Sequence, residues 1–77
     1  MALPHLEEMA RRYAIAAVNA DRSGDVDKAI TNYRKAIDVL AKIIKLYPDS
    51  PFTSIYLKMM REYEARLKEL QSVALAA

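Results

Sequence analysis

Residues that interrupt helices are rare in this chain, and their positions limit what it can fold into. The single glycine is Gly24, and two of the three prolines, Pro48 and Pro51, stand close together. Glycine and proline are the strongest interruptions of regular structure, so they divide the chain into segments of about 20 residues each. We therefore predict an all-α chain with helices at residues 4–22, 26–47 and 51–74.

The residues at the segment ends fit helix termini. Pro4 suits the first turn of a helix, where its missing N–H has no partner to lose. Gly24 suits a left-handed C-terminal cap, and Asp25 can accept hydrogen bonds from the first free amides of the second helix. Pro48 ends the second helix, and we predict that Asp49 or Ser50 caps a third helix with Pro51 in its first turn.

Apolar residues recur every three or four positions in each segment, the spacing of one helix face. The second helix has the broadest apolar arc, which makes it the central helix. Short loops predict an antiparallel three-helix bundle, up, down and up, with the first and third helices parallel. The predicted inward residues are Leu6, Met9, Tyr13, Ala16 or Ala17 and Ala20; then Val26, Ala29, Ile30, Tyr33, Ala36, Ile37, Leu40, Ala41 and Ile44; and then Phe52, Ile55, Tyr56, Met59, Tyr63, Leu67, Leu70 and Val73.

Composition narrows the class of protein further. A chain of 77 residues without cysteine holds one small core with no disulfide or thiolate metal site to support it. No apolar stretch approaches the roughly 20 residues that cross a bilayer. The 12 basic and 10 acidic residues alternate in sign, which disfavours electrostatic capture of DNA or anionic lipid. These features predict a cytoplasmic helical binding module.

Groups suited to catalysis do not converge in the sequence. The single histidine, His5, lies near a helix end with no serine near it. Neither Glu7 and Glu8 nor Asp25 and Asp27 share a helix face, so neither pair predicts an acid–base or metal site. One glycine cannot form a phosphate-binding loop. We predict no catalytic residue, metal or cofactor in these residues.

A helical wheel predicts two outer grooves beside the third helix. The groove between the first and third helices has small side chains, and its predicted peptide-binding residues are Arg11, Ala14, Val18, Asp21, Ile55, Lys58, Glu62 and Ala65. The alternative groove, between the second and third helices, is more charged and contains Arg34, Asp38, Lys45, Met60, Arg61 and Glu64. Arg66 is predicted to pair with Glu62 one turn earlier.

The helix pattern resembles two known families. The run from Gly24 to Ile30, with Tyr33, Ala36 and Ile37, is similar to the hairpin of a tetratricopeptide unit, but that unit's second helix is shorter. The longer hairpin and the third helix resemble the MIT (microtubule interacting and trafficking) domain over residues 6–70, especially the N-terminal module of archaeal cell-division AAA ATPases. The residues that carry this resemblance are Ala10, Asp21, Gly24–Ile30, Tyr33, Ala36, Ile37, Ile44, Lys45, Tyr63, Arg66 and Leu70.

The resemblance implies a recruiting function. The resemblance implies that residues 1–77 form one MIT-like domain at the N-terminus of a larger AAA ATPase. This domain would bind the tails of ESCRT-III-like subunits, and the attached ATPase would remodel their membrane-associated filaments. ATP and magnesium are then expected only in the attached ATPase domain. The isolated domain is expected to be a monomer, the whole protein a homo-oligomeric ring, and membrane contact indirect, through the filament.

The family binds tails in two ways. A proline-containing extended tail lies between the first and third helices, and an amphipathic helical tail lies between the second and third. Glu64 stands where the second mode commonly has an exposed leucine, which favours the groove between the first and third helices. An extended, pre-stiffened tail also loses little entropy on binding there.

Other functions stay open at this stage. A tetratricopeptide-like module would bind a peptide on its concave face and needs further repeats. A nucleic-acid-binding bundle would use Arg11, Arg12, Arg34 and Lys35 and would show a steep salt dependence.

Overall fold

The computed structural model describes residues 2–76, which form three α-helices and contain no β-strand. The helices are α1 (Ala2–Arg22), α2 (Val26–Leu46) and α3 (Thr53–Ala76). They pack into an elongated bundle of 42 × 18 × 14 Å. The predicted all-α three-helix architecture is confirmed.

The turn between α1 and α2 forms as the sequence predicts. Gly24 has φ of 81°, in the left-handed region that side chains with a Cβ disfavour. The Asp25 carboxylate accepts a hydrogen bond from the backbone N–H of Lys28 at 3.1 Å, which caps the first turn of α2. These two residues reverse the chain within a few positions.

The bounds of the helices differ from the prediction by one or two residues: α2 ends at Leu46 rather than at residue 47, and α3 ends at Ala76 rather than at residue 74. α1 begins at Ala2, because Pro4 is tolerated throughout the first turn, where amides have no intrahelical partner. α3 begins at Thr53, so Pro51 precedes the helix. The Ser50 hydroxyl accepts from the N–H of Phe52 at 3.2 Å, and the Thr53 hydroxyl donates to the carbonyl of Ser50 at 2.9 Å. These bonds hold the Pro51 segment in a turn.

α2 lies between the other two helices and packs against both of them. Within residues 2–76, no Cα atom of α1 lies within 8 Å of a Cα atom of α3. The core forms two clusters along α2, the first of Leu6, Ala10, Val39, Leu40, Ile43 and Tyr56 and the second of Ala17, Ala20, Ala29, Tyr33 and Leu70. The bundle is therefore open between α1 and α3.

Several predicted core positions are wrong. Val39 and Ile43 are buried but were not predicted, whereas Ala41 is exposed. Leu40 and Ile43 are three residues apart and lie on the same buried face of α2. Ala41 is one residue after Leu40, about 100° around the helix, and lies outside that face.

Three predicted inward residues of the third segment are exposed rather than buried: Phe52, Ile55 and Val73. Phe52 precedes the helix, and Ile55 lies one position before the buried Tyr56. Leu70 belongs to the second core cluster, which also contacts Val26 at the start of α2. Val73 therefore lies beyond the end of the core.

Candidate functional site

An open groove runs between α1 and α3, with α2 as its floor, and encloses about 520 Å³. We call it the α1–α3 groove. Its lining residues are Glu7, Ala10, Arg11, Ala14, Ile15, Val18 and Asn19 from α1, Leu40 and Ile43 from α2, and Tyr56, Met59 and Tyr63 from α3. Apart from Glu7, Arg11 and Asn19, this surface is formed by apolar and aromatic side chains.

Alanines make the α1 wall low. Ala10 and Ala14 lie one turn apart, both are buried, and neither has side-chain atoms beyond Cβ. Opposite them, Met59 and Tyr63 form the α3 wall, with Leu40 and Ile43 of α2 beneath. A ligand that enters the groove can bring its own backbone close to α1 at the two alanines.

A hydrogen bond joins the two walls at one end of the groove. The hydroxyl of Tyr56, on α3, donates to Oε2 of Glu7, on α1, at 2.5 Å. Burial raises the pKa of Tyr56 to about 12, and the bond to the Glu7 carboxylate adds to this effect. Tyr56 therefore keeps its proton at neutral pH and fixes the distance between the two helices at this end.

An ion pair joins α1 to α3 near the other end. Arg66 donates to both carboxylate oxygens of Asp21, each at 2.7 Å, and the hydroxyl of Tyr33 donates to the same carboxylate at 3.2 Å. The Arg66 guanidinium lowers the pKa of Asp21 below its ordinary value. The predicted partner of Arg66, Glu62, is wrong, because Arg66 turns toward α1 and bonds Asp21, with Glu69 as a weaker partner at 3.4 Å.

The predicted α1 residues lie in or beside the groove. Arg11, Ala14 and Val18 line it, and Asp21 lies just beyond its end, in the ion pair with Arg66. Arg11 also donates twice to the Glu8 carboxylate, at 2.7 and 3.0 Å, which holds its side chain along the outside of α1.

The predicted α3 residues lie beside the wall rather than in it. Ile55, Lys58, Glu62 and Ala65 are exposed. The wall is formed by Tyr56, Met59 and Tyr63, each one position after a predicted residue and thus about 100° further around the helix. The three- and four-residue spacing of Tyr56, Met59 and Tyr63 predicts that they face the core, and in the structure they also line the groove.

The alternative set of residues lies away from the α1–α3 groove. Met60 is half-buried against the first core cluster. The charged members of that set are exposed on α2 and α3; they are Arg34, Asp38, Lys45, Arg61 and Glu64.

Residues 2–76 lack the features of two other classes of protein. They contain no group of three or more histidine, aspartate or glutamate side chains placed to hold a metal ion. In the same residues, no helix combines the length and apolar character needed to span a membrane.

Comparison with known families identifies the family to which this chain belongs. Residues 7–72 match the MIT (microtubule interacting and transport) domain family. The chain belongs to the MIT domain family. MIT domains are protein-interaction modules, so the groove of this one is a candidate surface for a protein partner.

This MIT domain is similar in sequence to part of a cell-division protein. The chain is 57% identical over 54 residues to Cell division protein C of Sulfolobus acidocaldarius. The match covers 70% of this chain and 14% of that protein, so the chain spans a small part of the relative's length.

Proposed function

We propose that this MIT domain recruits an AAA ATPase to ESCRT-III-like subunits by binding their short, proline-rich tails in the α1–α3 groove. The observation that carries the proposal is the groove itself, an apolar channel between two helices whose Cα atoms do not approach each other within 8 Å. The relative's name, Cell division protein C, supports a role in cell division.

The length of the groove suits an extended peptide. Along α1 it runs from Glu7 to Asn19, which at 1.5 Å per residue is about 18 Å. A polyproline II chain rises 3.1 Å per residue, so about five or six residues span this length. Such a chain has no internal hydrogen bonds and is already extended, so it loses little conformational entropy on binding.

The side chains of the groove favour apolar contacts with that peptide. Ala10 and Ala14 let the peptide approach α1 closely, while Met59 offers a flexible thioether that adapts to different side chains. Val18 lies at the rim, half-buried, where a peptide would cover it. The exposed Glu64, by contrast, puts a charge on the surface where a helical tail would need an apolar contact.

Binding at this site would be weak for one domain. A groove for about six residues buries less area than a stable protein interface, which predicts a dissociation constant on the order of 1–100 μM. On our proposal, the isolated domain is a monomer, whereas the full-length protein forms a ring whose several domains face a polymer of tails. Simultaneous binding then raises the overall affinity without new contacts, and ATP and magnesium act only in the attached ATPase domain.

Titration of the isolated domain with labelled tail peptides tests the proposal. One peptide is proline-rich and extended, and the other is an amphipathic helix. We expect the proline-rich peptide to bind more tightly. A preference for the helical peptide would contradict the assigned groove.

Two charge variants locate the binding surface. Val18→Asp places a carboxylate where the peptide buries apolar side chains, and we expect at least a tenfold loss of affinity. Glu64→Lys changes a charge on the far side of α3 and should leave affinity nearly unchanged. If Glu64→Lys abolishes binding and Val18→Asp does not, with both variants helical by circular dichroism, the α2–α3 groove is the site.

A further inference from the structure

A second, polar hollow lies on the other side of α1, between that helix and the start of α2. It encloses about 450 Å³, and its charged lining residues are Arg12, Asp25 and Lys28. Ile15 and Asn19 belong to the walls of both this hollow and the α1–α3 groove. These two side chains therefore form the ridge that separates the two depressions.

The ridge between the two depressions is short. Ile15 and Asn19 are four residues apart on one helix face, so their Cβ atoms are about 5–6 Å apart. Since non-bonded carbon atoms pack about 3.5–4.0 Å apart, a backbone does not fit between these two side chains, and a peptide that leaves the groove here crosses over their tips. The exposed Asn19 amide can both donate to a peptide carbonyl and accept from a peptide N–H as the chain crosses.

The charges around the hollow favour an acidic occupant. The Asp25 carboxylate is engaged by the N–H of Lys28 as the cap of α2. Two cations, Arg12 and Lys28, line the hollow with this one carboxylate, and the Glu8 carboxylate that Arg12 contacts at 3.2 Å lies closer to Arg11, at 2.7 Å. Within residues 2–76, no carboxylate lies within 4.0 Å of the Lys28 ammonium.

We propose that the tail bound in the α1–α3 groove continues over the ridge of Ile15 and Asn19 and places acidic residues in this hollow, against Arg12 and Lys28. The inference rests on the proposed function and adds the chemistry of the partner: a short apolar, proline-rich core followed or preceded by carboxylates. The apolar core supplies contact in the groove, and the acidic flank selects among tails with similar cores.

Peptides with matched flanks test this inference. We would compare the proline-rich core alone with cores that carry three glutamates or three glutamines, at either end. At low salt, the glutamate flank at one end should tighten binding about threefold to tenfold over glutamine, the gain expected from one or two exposed ion pairs. The gain should shrink at high salt, because such pairs are screened.

A pair of double variants shows where the flank binds. Arg12→Gln/Lys28→Gln should remove the gain from glutamate. Lys42→Gln/Lys68→Gln removes the same charge from exposed positions on α2 and α3 and should keep the gain. All four positions are exposed, so each double variant should remain folded, which circular dichroism checks.

The outcomes separate this inference from the proposed function. Equal loss of the gain in both double variants would show an effect of net charge and overturn the inference. A core peptide that binds in the groove but gains nothing from glutamate at either end also overturns it, while the proposed function stands. A core peptide that does not bind at all contradicts the proposed function and the inference together.

Discussion

Tyr33 connects all three helices, which makes its replacement a direct test of the packing. Its side chain is 5% exposed in the second core cluster. Its hydroxyl donates to Asp21 of α1 at 3.2 Å, and its ring centroid lies 5.7 Å from that of Tyr63 on α3. Removing the side chain therefore weakens contacts from α2 to both of its neighbours.

The expected effects of two substitutions differ several-fold. Tyr33→Ala deletes a buried aromatic ring and should lower the free energy of unfolding by about 3–5 kcal/mol. Tyr33→Phe keeps the ring and removes one hydrogen bond, while Arg66 still binds Asp21, so the loss should be about 1 kcal/mol. At about 0.05–0.15 kcal/mol per residue, a domain of this size has about 4–12 kcal/mol in total.

Urea unfolding followed by circular dichroism measures these differences. We expect Tyr33→Phe to shift the midpoint modestly and Tyr33→Ala to shift it several times further, which unfolds the domain if its total stability lies at the low end of that range. Tyr13→Ala is a matched control, because Tyr13 is only half-buried on α1, with the Lys35 ammonium 5.6 Å from its ring. If Tyr13→Ala destabilises the domain more than Tyr33→Ala, Tyr33 does not connect the helices as argued.

Three further predictions concern the two ends of the α1–α3 groove and the turn between α1 and α2. Because Arg66 lowers the pKa of Asp21, the stabilisation that this ion pair gives the folded domain is complete above the ordinary aspartate pKa of about 4 and is lost as pH falls below it. When the free energy of unfolding is measured at decreasing pH, Asp21→Asn should lose less stability than the wild type. Parallel curves for the two proteins would contradict this. Because the pKa of Tyr56 is raised to about 12, the contribution of its hydroxyl to the free energy of unfolding is complete below pH 10 and is lost between about pH 10 and 12. Tyr56→Phe should therefore lose less stability over that range, and an equal loss would count against the buried hydroxyl. Gly24→Ala meets no atom within 4 Å but is strained at φ of 81°, so its melting temperature should fall by an amount corresponding to about 1–2 kcal/mol, and an unchanged melting temperature would refute the left-handed turn.

The sequence predicted the helices because the interruptions between them are local. Gly24 and Asp25 act through their own backbone and the next turn, and both behave in the structure as the sequence indicates. The start of α3 was placed two residues early, because whether a proline lies inside a helix or just before it depends on the turn that Ser50 and Thr53 build.

The walls of the groove were less accessible from sequence. The helical wheel predicts Arg11, Ala14 and Val18 on the α1 side of the groove, and all three line it. The α3 wall requires knowing how α3 rotates against α2, and an error of one residue moves a side chain by about 100°. The bridges from Glu7 to Tyr56 and from Asp21 to Arg66 join residues 49 and 45 positions apart, beyond the reach of any local pairing rule.

Those two bridges explain why a groove can exist between α1 and α3, whose Cα atoms stay more than 8 Å apart. Each helix packs on α2, and without cross-links the gap between them would be free to close or widen. The Tyr56–Glu7 bond and the Arg66–Asp21 pair hold α1 and α3 at a fixed separation, one at each end of the gap. A site held open in this way needs little rearrangement to receive a peptide, which reduces the cost of binding. Since the area available is small, such preorganisation allows measurable single-site affinity, and several copies acting together supply the rest.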